Sequence, residues 1–213
     1  MNIPAKVGIS LGALSGVGGL GYIVQQQLTT SDISSKLIKE DYELLEDNAI
    51  EWAEILVSYK ATVGTNTKLK FEGFESTTST NELPRLCKEA TKVDLAKDTD
   101  GAIYERAKKW CTKPRTLENL LDAQGKRFLD TDSKTDNEQE KWNEKLDAHN
   151  SAGTSNTNKF SQLDLLTSGS LQKNPETRNK LKEKCASLKN KKHHEKDFEK
   201  ELRQAELWCS TDK

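Results

Sequence analysis

Apolar residues recur along most of this chain with the three- and four-residue spacing of amphipathic helices. Ser31-Asp32 can cap the first of these segments, because serine and aspartate side chains accept hydrogen bonds from free helical N–H groups. Its apolar positions are Ile33, Leu37, Leu44, Leu45, Ile50, Trp52, Ile55, Leu56 and Tyr59. The pattern predicts either one long helix over residues 33–60 or two helices that meet near Glu40-Asp41.

Two further helices are predicted around a tight turn in the middle of the chain. A loop rich in threonine, serine and asparagine precedes them over residues 64–81 and carries Phe71 and Phe74. The turn is Asp98-Thr-Asp-Gly101, and Pro114 ends the second helix. The apolar positions are Leu83, Leu86, Cys87, Ala90 and Val93 before the turn, and Ile103, Ala107, Trp110 and Cys111 after it.

The C-terminal part of the chain follows the same plan. Thr116 can cap a helix that Gly125 interrupts. Residues 132–138 predict a polar linker, and residues 151–158 predict a flexible loop. Asn174-Pro175 then supplies a cap with proline at the first helical position. The apolar helical positions are Leu117, Leu120, Leu121 and Phe128, then Trp142 and Leu146, then Leu181, Cys185 and Leu188, and finally Phe198, Leu202, Ala205, Trp208 and Cys209.

The landmarks of these two parts match in the same order, which indicates an internal duplication. The matches are Ile33-x3-Leu37 with Leu117-x3-Leu121 (offset 84), Trp52-x-Glu54-x-Leu56 with Trp142-x-Glu144-x-Leu146 (offset 90), and Leu83…Cys87…Ala107…Trp110-Cys111 with Leu181…Cys185…Ala205…Trp208-Cys209 (offset 98). The offset grows because the second copy carries extra polar residues in 133–138 and 151–158. We therefore predict two tandem helical repeats, residues 32–113 and 114–213, each ending in a Trp-Cys helix.

All four cysteines belong to this duplicated pattern. Residue 99, the midpoint between Cys87 and Cys111, lies at the centre of the predicted turn, so two antiparallel helices would bring these cysteines within disulfide distance. By repetition Cys185 would pair with Cys209, although the turn expected at residues 190–194 lies off the midpoint and lacks glycine. Four cysteines allow three connectivities, and four reduced core thiols are the alternative.

The N-terminal segment, residues 1–31, predicts a membrane anchor. Residues 7–24 form an apolar run of 18 residues without charge, which as a helix is about 27 Å long and spans a hydrocarbon core. Gly8, Gly12 and Gly16 lie on one helix face, the small-residue pattern that lets two membrane helices pack closely. A cleaved signal peptide and a buried helix of a soluble protein are the alternatives.

The charges that flank this segment indicate its orientation. Lys6 and the amino terminus are positive, whereas the other flank begins with Asp32. The positive-inside rule therefore places residues 32–213 outside the cell. Paired cysteines agree with this topology, because stable disulfides belong to oxidising compartments. We expect a single-pass protein of the cell membrane whose C-terminal region is extracellular.

Composition narrows the classes of function. Charged residues make up 31% of the chain and hydrophobic residues 33%, so the core is small for 213 residues and two disulfides would matter for stability. The net charge is -1 at neutral pH, which provides no basic field for nucleic acid.

No combination of residues predicts catalysis, a cofactor or a metal site. His149 lies at a helix end, and His193-His194 lie in a lysine-rich segment that predicts a solvated basic turn. Gly16-x-Gly18-x-x-Gly21 matches a dinucleotide-binding string, but no strand precedes it and it ends an apolar run. Trp110 and Trp208 follow helical spacing and are predicted to lie in the core.

Together these features resemble the large paralogous families of short, uncharacterised membrane-anchored proteins of hemotropic mycoplasmas, which are blood-dwelling bacteria without a cell wall. The resemblance covers nearly the whole chain. It depends on the apolar N-terminal span, the repeated capped Leu-x3-Leu segment, the string Ala-x-x-Trp-Cys-Thr-x-Pro-x-Thr-Leu at residues 107–117, and the C-terminal Trp208-Cys209. It implies a single-span protein displayed at the host interface and contributing to antigenic variety, and it supplies no catalytic residue.

We therefore expect a non-catalytic surface protein for host interaction or antigenic display. Its expected partners are the lipid bilayer, a host protein, and a second copy through the Gly8/Gly12/Gly16 face, with no nucleic acid and no cofactor. The alternative is a membrane-tethered protein that captures a small ligand between the repeats. A buried polar pocket would favour ligand capture, whereas an apolar core with polar outer faces would favour display. An inward-facing scaffold would instead have reduced thiols.

Overall fold

The computed structural model describes residues 31–74, 82–153, 156–161, 163–167 and 169–213. Within these residues the chain is mostly helical, and two disulfides cross-link it. No helix of this described part is long and apolar enough to cross a membrane. The predicted anchor up to residue 30, its Gly8/Gly12/Gly16 face and the Gly16-x-Gly18-x-x-Gly21 string lie outside the described residues.

The described residues contain eight α-helices, two short 3-10 helices (Thr67–Leu69 and Leu95–Lys97) and four short strands. The helices are α1 (Ile33–Lys39), α2 (Trp52–Val63), α3 (Glu82–Thr91), α4 (Ala102–Trp110), α5 (Leu117–Ala123), α6 (Gln139–Ser151), α7 (Pro175–Lys189) and α8 (Phe198–Trp208). The strands are β1 (Lys126–Phe128), β2 (Leu166–Thr167), β3 (Ser170–Leu171) and β4 (Ser210–Asp212). Antiparallel pairing joins β1 to β4 and β2 to β3. We refer to residues 31–113 as the first half and to residues 114–213 as the second half.

Three helices begin at caps that the sequence predicts. The Asp32 carboxylate accepts a hydrogen bond from the Ser35 N–H at 2.8 Å, at the start of α1. Thr116 and Asn119 cap α5 reciprocally, each side chain accepting from the backbone N–H of the other. Asn174 caps α7, whose first residue is proline. These side chains define the helix starts because they satisfy N–H groups that have no partner within the helix.

Residues 33–60 form two helices rather than one. The chain leaves α1 through Asp41, whose φ of 62° is left-handed and cannot continue a helix. The connection to α2 then packs back on the end of α4, where the Leu45 N–H donates to the Cys111 carbonyl oxygen at 3.0 Å. Ile50 lies in this connection and is 90% exposed, so its predicted place on the apolar helix face is wrong.

A left-handed glycine ends α5 earlier than the hydrophobic pattern indicates. Gly125 has a φ of 76°, a conformation that favours glycine because it has no Cβ. Phe128, predicted on the helix face, instead lies in β1 opposite Ser210 of β4. Next to this pair the Leu129 N–H donates to the Cys209 carbonyl oxygen at 2.9 Å. This bond corresponds to the one between Leu45 and Cys111 in the first half. In the second half the short sheet of β1 and β4 continues it.

Both halves contain a disulfide-linked helix pair. The bonds are Cys87–Cys111, with Cα atoms 5.3 Å apart, and Cys185–Cys209, with Cα atoms 5.4 Å apart. These are the predicted pairings, α3 with α4 and α7 with α8. The second helix of each pair follows a left-handed residue, Gly101 in the first half and Asp197 in the second. Aspartate tolerates this conformation better than most side chains, which explains how the second turn forms without glycine.

The buried tryptophans make matching hydrogen bonds in the two halves. Each indole N–H donates to a backbone carbonyl oxygen: Trp52 to Glu46 (2.8 Å), Trp142 to Asp130 (3.0 Å), Trp110 to Leu69 (2.9 Å) and Trp208 to Asn158 (2.7 Å). Trp110 and Trp208 are 0% and 5% exposed, as the helical spacing predicts. The buried apolar residues of both halves form one continuous cluster.

The predicted polar linker before α6 is an ordered loop that surrounds two buried cations. Arg178 and Lys182 on α7 are 1% and 0% exposed. The Arg178 guanidinium pairs with Asp136 and holds the pKa of that carboxyl below its usual value. Lys182 Nζ donates to the Thr135 carbonyl oxygen at 2.7 Å, and the Asp130 carboxylate accepts from the Thr135 hydroxyl at 3.0 Å. These contacts explain why so polar a segment keeps one conformation.

Candidate functional site at the junction of the two halves

A group of buried polar side chains lies where the second half meets the first. The connection between α7 and α8, residues 190–197, packs against α2 and α4. His193 and His194 in this connection are 5% and 2% exposed, so the predicted solvated basic turn is wrong. Both ring nitrogens of His193 have hydrogen-bond partners, whereas of the His194 ring only Nδ1 has one.

Lys109 on α4 is the cation of this junction. Its Nζ donates to the carbonyl oxygens of His193 at 2.9 Å and Glu195 at 3.2 Å, and lies 3.4 Å from a Glu199 carboxylate oxygen. The side chain is only 4% exposed. Burial lowers the pKa of Lys109, and the nearby Glu199 carboxylate opposes that shift. A charged donor held by three oxygens of the other half joins the halves strongly.

His193 is held in one neutral tautomer. Its Nδ1 accepts from the Arg115 N–H at 3.0 Å, so the ring proton is on Nε2. That Nε2 lies 3.1 Å from the Lys108 carbonyl oxygen and 3.1 Å from the Thr112 hydroxyl. Burial lowers the pKa of His193 to about 3, and the neighbouring His194 and Lys109 act in the same direction. The imidazole therefore stays neutral at physiological pH and forms hydrogen bonds with residues of both halves.

The His194 imidazole lies beside a serine and a glutamate of α2. Its Nδ1 lies 2.9 Å from Ser58 Oγ, and its Nε2 lies 3.6 Å from a Glu54 carboxylate oxygen. Lys192 Nζ lies 2.6 Å from the other Glu54 oxygen. Burial lowers the pKa of His194, while the Glu54 charge acts in the opposite direction.

This trio has the residue types of a hydrolase triad but a different geometry. In a triad a carboxylate hydrogen-bonds the imidazole and orients it toward the nucleophile. Here the distance of 3.6 Å between Glu54 and His194 Nε2 is too long for that bond, and Lys192 holds the carboxylate instead. His194 is also 2% exposed, so a substrate has no approach to the ring. The arrangement joins α2 to the second half.

The cavity beside Lys109 and His193 is small. It has a volume of about 90 Å³ and is lined by Tyr42, Lys109, His193 and Glu199 among others. Sites for drug-sized ligands occupy roughly 300–1,000 Å³, so this space accommodates a few water molecules only. Within the described residues, no group of three or more histidine, cysteine or acidic side chains is placed to hold a metal ion.

Sequence reasoning missed the junction because its members lie far apart in the chain. The contacts of His193 and His194 with the first half join residues separated by 81 positions (Thr112) to 140 positions (Glu54). Glu54 and Ser58 are four residues apart and so lie on one face of α2, but nothing in their spacing indicates His194.

The residues singled out from the sequence lie elsewhere. The four cysteines form the two buried disulfides, and Trp110 and Trp208 lie in the core beside them. Two disulfides are typical of proteins in an oxidising compartment outside the cytoplasm. In comparisons with known proteins, no family model matches the chain, and no curated protein or solved structure matches it significantly.

Proposed function

We propose that this chain is a membrane-anchored, non-catalytic surface protein that serves host interaction or antigenic display. The observation that carries the proposal is the pair of buried disulfides, Cys87–Cys111 and Cys185–Cys209. Such bonds persist outside the cytoplasm, and the sequence that precedes the described residues contains an apolar run of membrane length, residues 7–24. The resemblance to the surface-protein families of hemotropic mycoplasmas implies the same role.

The described region is, in this proposal, two tandem repeats, residues 32–113 and 114–213. Three contacts recur at the offsets of the sequence match: the indole hydrogen bonds, the disulfide, and the backbone bond from the leucine to the second cysteine. A repeated module with a rigid, cross-linked core suits display, because its outer residues can vary without loss of the fold.

The packing of the junction favours display over capture of a ligand between the repeats. Its buried polar groups bond directly to one another, as Lys109 does to His193, and leave a cavity of only about 90 Å³. A captured ligand needs polar groups that point into an open space. The cavity beside Lys109 and His193 is too small for such a ligand.

Sidedness and thiol state test the proposal together. Intact cells would be treated with a membrane-impermeant protease, and the released fragments would be mapped by mass spectrometry before and after reduction. We expect external fragments that contain both disulfides, with a cytoplasmic enzyme left uncut as the control. Protection of residues 32–213 from protease, together with four free thiols, would refute surface display.

The same experiment tests the anchor. Peptides from residues 1–30 should remain with the membrane fraction after protease treatment. Their absence from the mature protein would indicate a cleaved signal peptide, and the protein would then be secreted rather than anchored.

A further inference from the structure

A buried histidine in the second half lies where the first half has a tyrosine. His149 on α6 and Tyr59 on α2 are 90 positions apart, the same offset that relates Trp142 to Trp52. Their side chains are 1% and 0% exposed. The two halves can therefore be compared ring for ring at this place.

Both rings accept the same backbone hydrogen bond. In the first half the Phe71 N–H donates to the Tyr59 hydroxyl at 2.8 Å. In the second half the Phe160 N–H donates to His149 Nε2 at 3.2 Å. In each half this bond holds the loop that follows the helix against the core.

The aromatic surroundings of the two rings are also equivalent. The ring centroids of Tyr59 and Trp110 are 5.1 Å apart, as are those of His149 and Trp208, and both pairs meet edge to face. Each ring also stacks on the phenylalanine whose N–H it accepts. The two sites therefore differ in the chemistry of one ring. A phenol stays neutral throughout the acid range, whereas an imidazole ordinarily binds a proton near about pH 6.5.

The hydrogen bond determines where the proton of His149 lies. Because Nε2 accepts from Phe160, the proton of the neutral ring is on Nδ1. Nδ1 is buried and has no hydrogen-bond partner within the part of the chain that the structure describes. A buried donor without an acceptor costs free energy, which weakens the closed arrangement of the loop.

A second proton is incompatible with the closed arrangement. It can bind only at Nε2, and it would then point a donor at the Phe160 N–H, whose nitrogen is 3.2 Å away. Both groups would lose their hydrogen bond inside the core, and a charged ring would be buried there.

The charged groups around the ring do not compensate for this cost. Lys159 of the loop opposes a charge on His149, in the same direction as burial. Lys184 on α7 lies 5.6 Å from the ring centroid of Phe160, and Lys145 lies one turn before His149 on α6. Among the described residues no carboxylate interacts with the His149 ring. From α8 the loop meets the neutral side chain of Gln204, which donates to the Lys159 carbonyl oxygen at 3.1 Å.

We propose that His149 is an acid-sensitive switch, whose protonation releases residues 156–161 from the core of the second half. The corresponding loop of the first half stays closed, because the Tyr59 hydroxyl keeps accepting its hydrogen bond. The inference goes beyond surface display and does not depend on it, since all of its contacts lie within one half.

Release of this segment changes the surface of the second half. The Trp208 indole loses its acceptor, the Asn158 carbonyl oxygen at 2.7 Å. Phe160 and Trp208, which are 3% and 5% exposed in the closed form, become accessible to water. An apolar patch therefore forms in the second half at acid pH and has no counterpart in the first half.

The pH dependence follows from the two environments of the ring. Burial lowers the pKa of His149 to about 4 in the closed form, and contact with water restores its ordinary pKa of 6.5 in the open form. Opening is therefore favoured as the pH falls below 6.5, until the closed form is protonated as well. Between pH 7 and pH 5 the opening equilibrium should rise about twentyfold.

Amide hydrogen exchange of the full chain in mild detergent tests the switch, because exchange reports local opening. The protection of the Phe160 amide would be compared at pH 7 and pH 5, after correction for the intrinsic exchange rate at each pH. We expect it to fall about twentyfold more than the protection of the Phe71 amide, which is the internal control for a change in global stability.

His149→Gln provides the matched variant. The glutamine side-chain oxygen can accept from the Phe160 N–H, but the amide does not titrate. The protection of Phe160 should therefore lose its additional pH dependence in this variant, while that of Phe71 keeps its behaviour.

Two results would overturn the switch. Equal changes in protection at Phe160 and Phe71 in the unmodified protein would show that the loop opens only when the whole protein unfolds. An additional pH dependence at Phe160 that persists in His149→Gln would assign it to another group. The first comparison needs no variant, so it decides the matter even if His149→Gln fails to fold.

Discussion

The Lys109 ammonium donates to the His193 carbonyl oxygen at 2.9 Å, across 84 positions of sequence and across the junction of the two halves. The same nitrogen is 3.2 Å from the Glu195 carbonyl oxygen, so one cation satisfies two carbonyl groups of the connection between α7 and α8. The two halves are therefore joined by a buried polar contact as well as by their shared apolar core.

Lys109→Met should destabilise the protein by about 2–3 kcal/mol. Methionine keeps most of the side-chain volume but leaves the carbonyl oxygens of His193 and Glu195 without their donor. The free energy of unfolding would be measured by urea titration of the full chain in mild detergent. Lys88→Met is the control, because Lys88 is 62% exposed and its pair with Asp47 is long, at 3.9 Å. Equal effects of the two substitutions would contradict the role given to Lys109.

Stability should decrease as the pH falls from neutral towards pH 4. Burial lowers the pKa of His149 to about 4 and that of His193 to about 3. In the unfolded state both histidines have the ordinary pKa of 6.5. Below pH 6.5 the unfolded state therefore binds protons that the folded state does not. Each histidine then costs up to about 1.4 kcal/mol per pH unit, and the contribution is complete above pH 6.5.

Urea titrations at several pH values between 7 and 4 measure this dependence. His149→Asn removes one of the histidine protons and should reduce the slope, which separates the histidine effect from that of the carboxylates. An unchanged slope would show that His149 titrates normally in the folded protein.

The two disulfides should contribute equally to stability. Each closes a loop of 24 positions, which in the chain-entropy model stabilises by about 3 kcal/mol. The Cys87→Ala/Cys111→Ala and Cys185→Ala/Cys209→Ala double variants avoid free thiols and can be compared by urea unfolding. A large loss for one pair and none for the other would show that the halves are not equivalent in stability.

Asp136→Asn should loosen the loop before α6. In this variant the buried Arg178 loses its carboxylate partner. The buried Lys182 loses the same carboxylate, which lies 3.8 Å from its Nζ. Limited proteolysis should then cut within residues 130–138 faster than in the unmodified protein. Asp47→Asn is the matched control, since Asp47 is 76% exposed. Equal cleavage of both variants would contradict the loop's dependence on Asp136.

Local chemistry made part of the fold predictable. The cap at Asp32 involves Ser35 only three positions away, and the turn near Gly101 lies midway between Cys87 and Cys111. Gly125 was visible in the sequence as an interruption, yet the sequence did not indicate that the chain would reverse there into β1. The strand forms because β4 lies beside it, and β4 is more than 80 positions away.

The contacts of the junction could not be predicted from the sequence for the same reason. His193 and His194 follow lysines and read as exposed, since nothing near them in sequence can satisfy an imidazole. Their partners Ser58 and Thr112 are 136 and 81 positions away.

By itself the sequence determined where α1, α5 and α7 begin and which cysteines pair, because capping and turn geometry depend on residues within a few helical turns. Only the tertiary structure decided that Lys109, His193 and His194 are buried, that Ile50 is exposed and that Phe128 lies in a strand. Burial of a polar side chain depends on whether a distant segment brings a hydrogen-bonding partner, and that is a property of the assembled core.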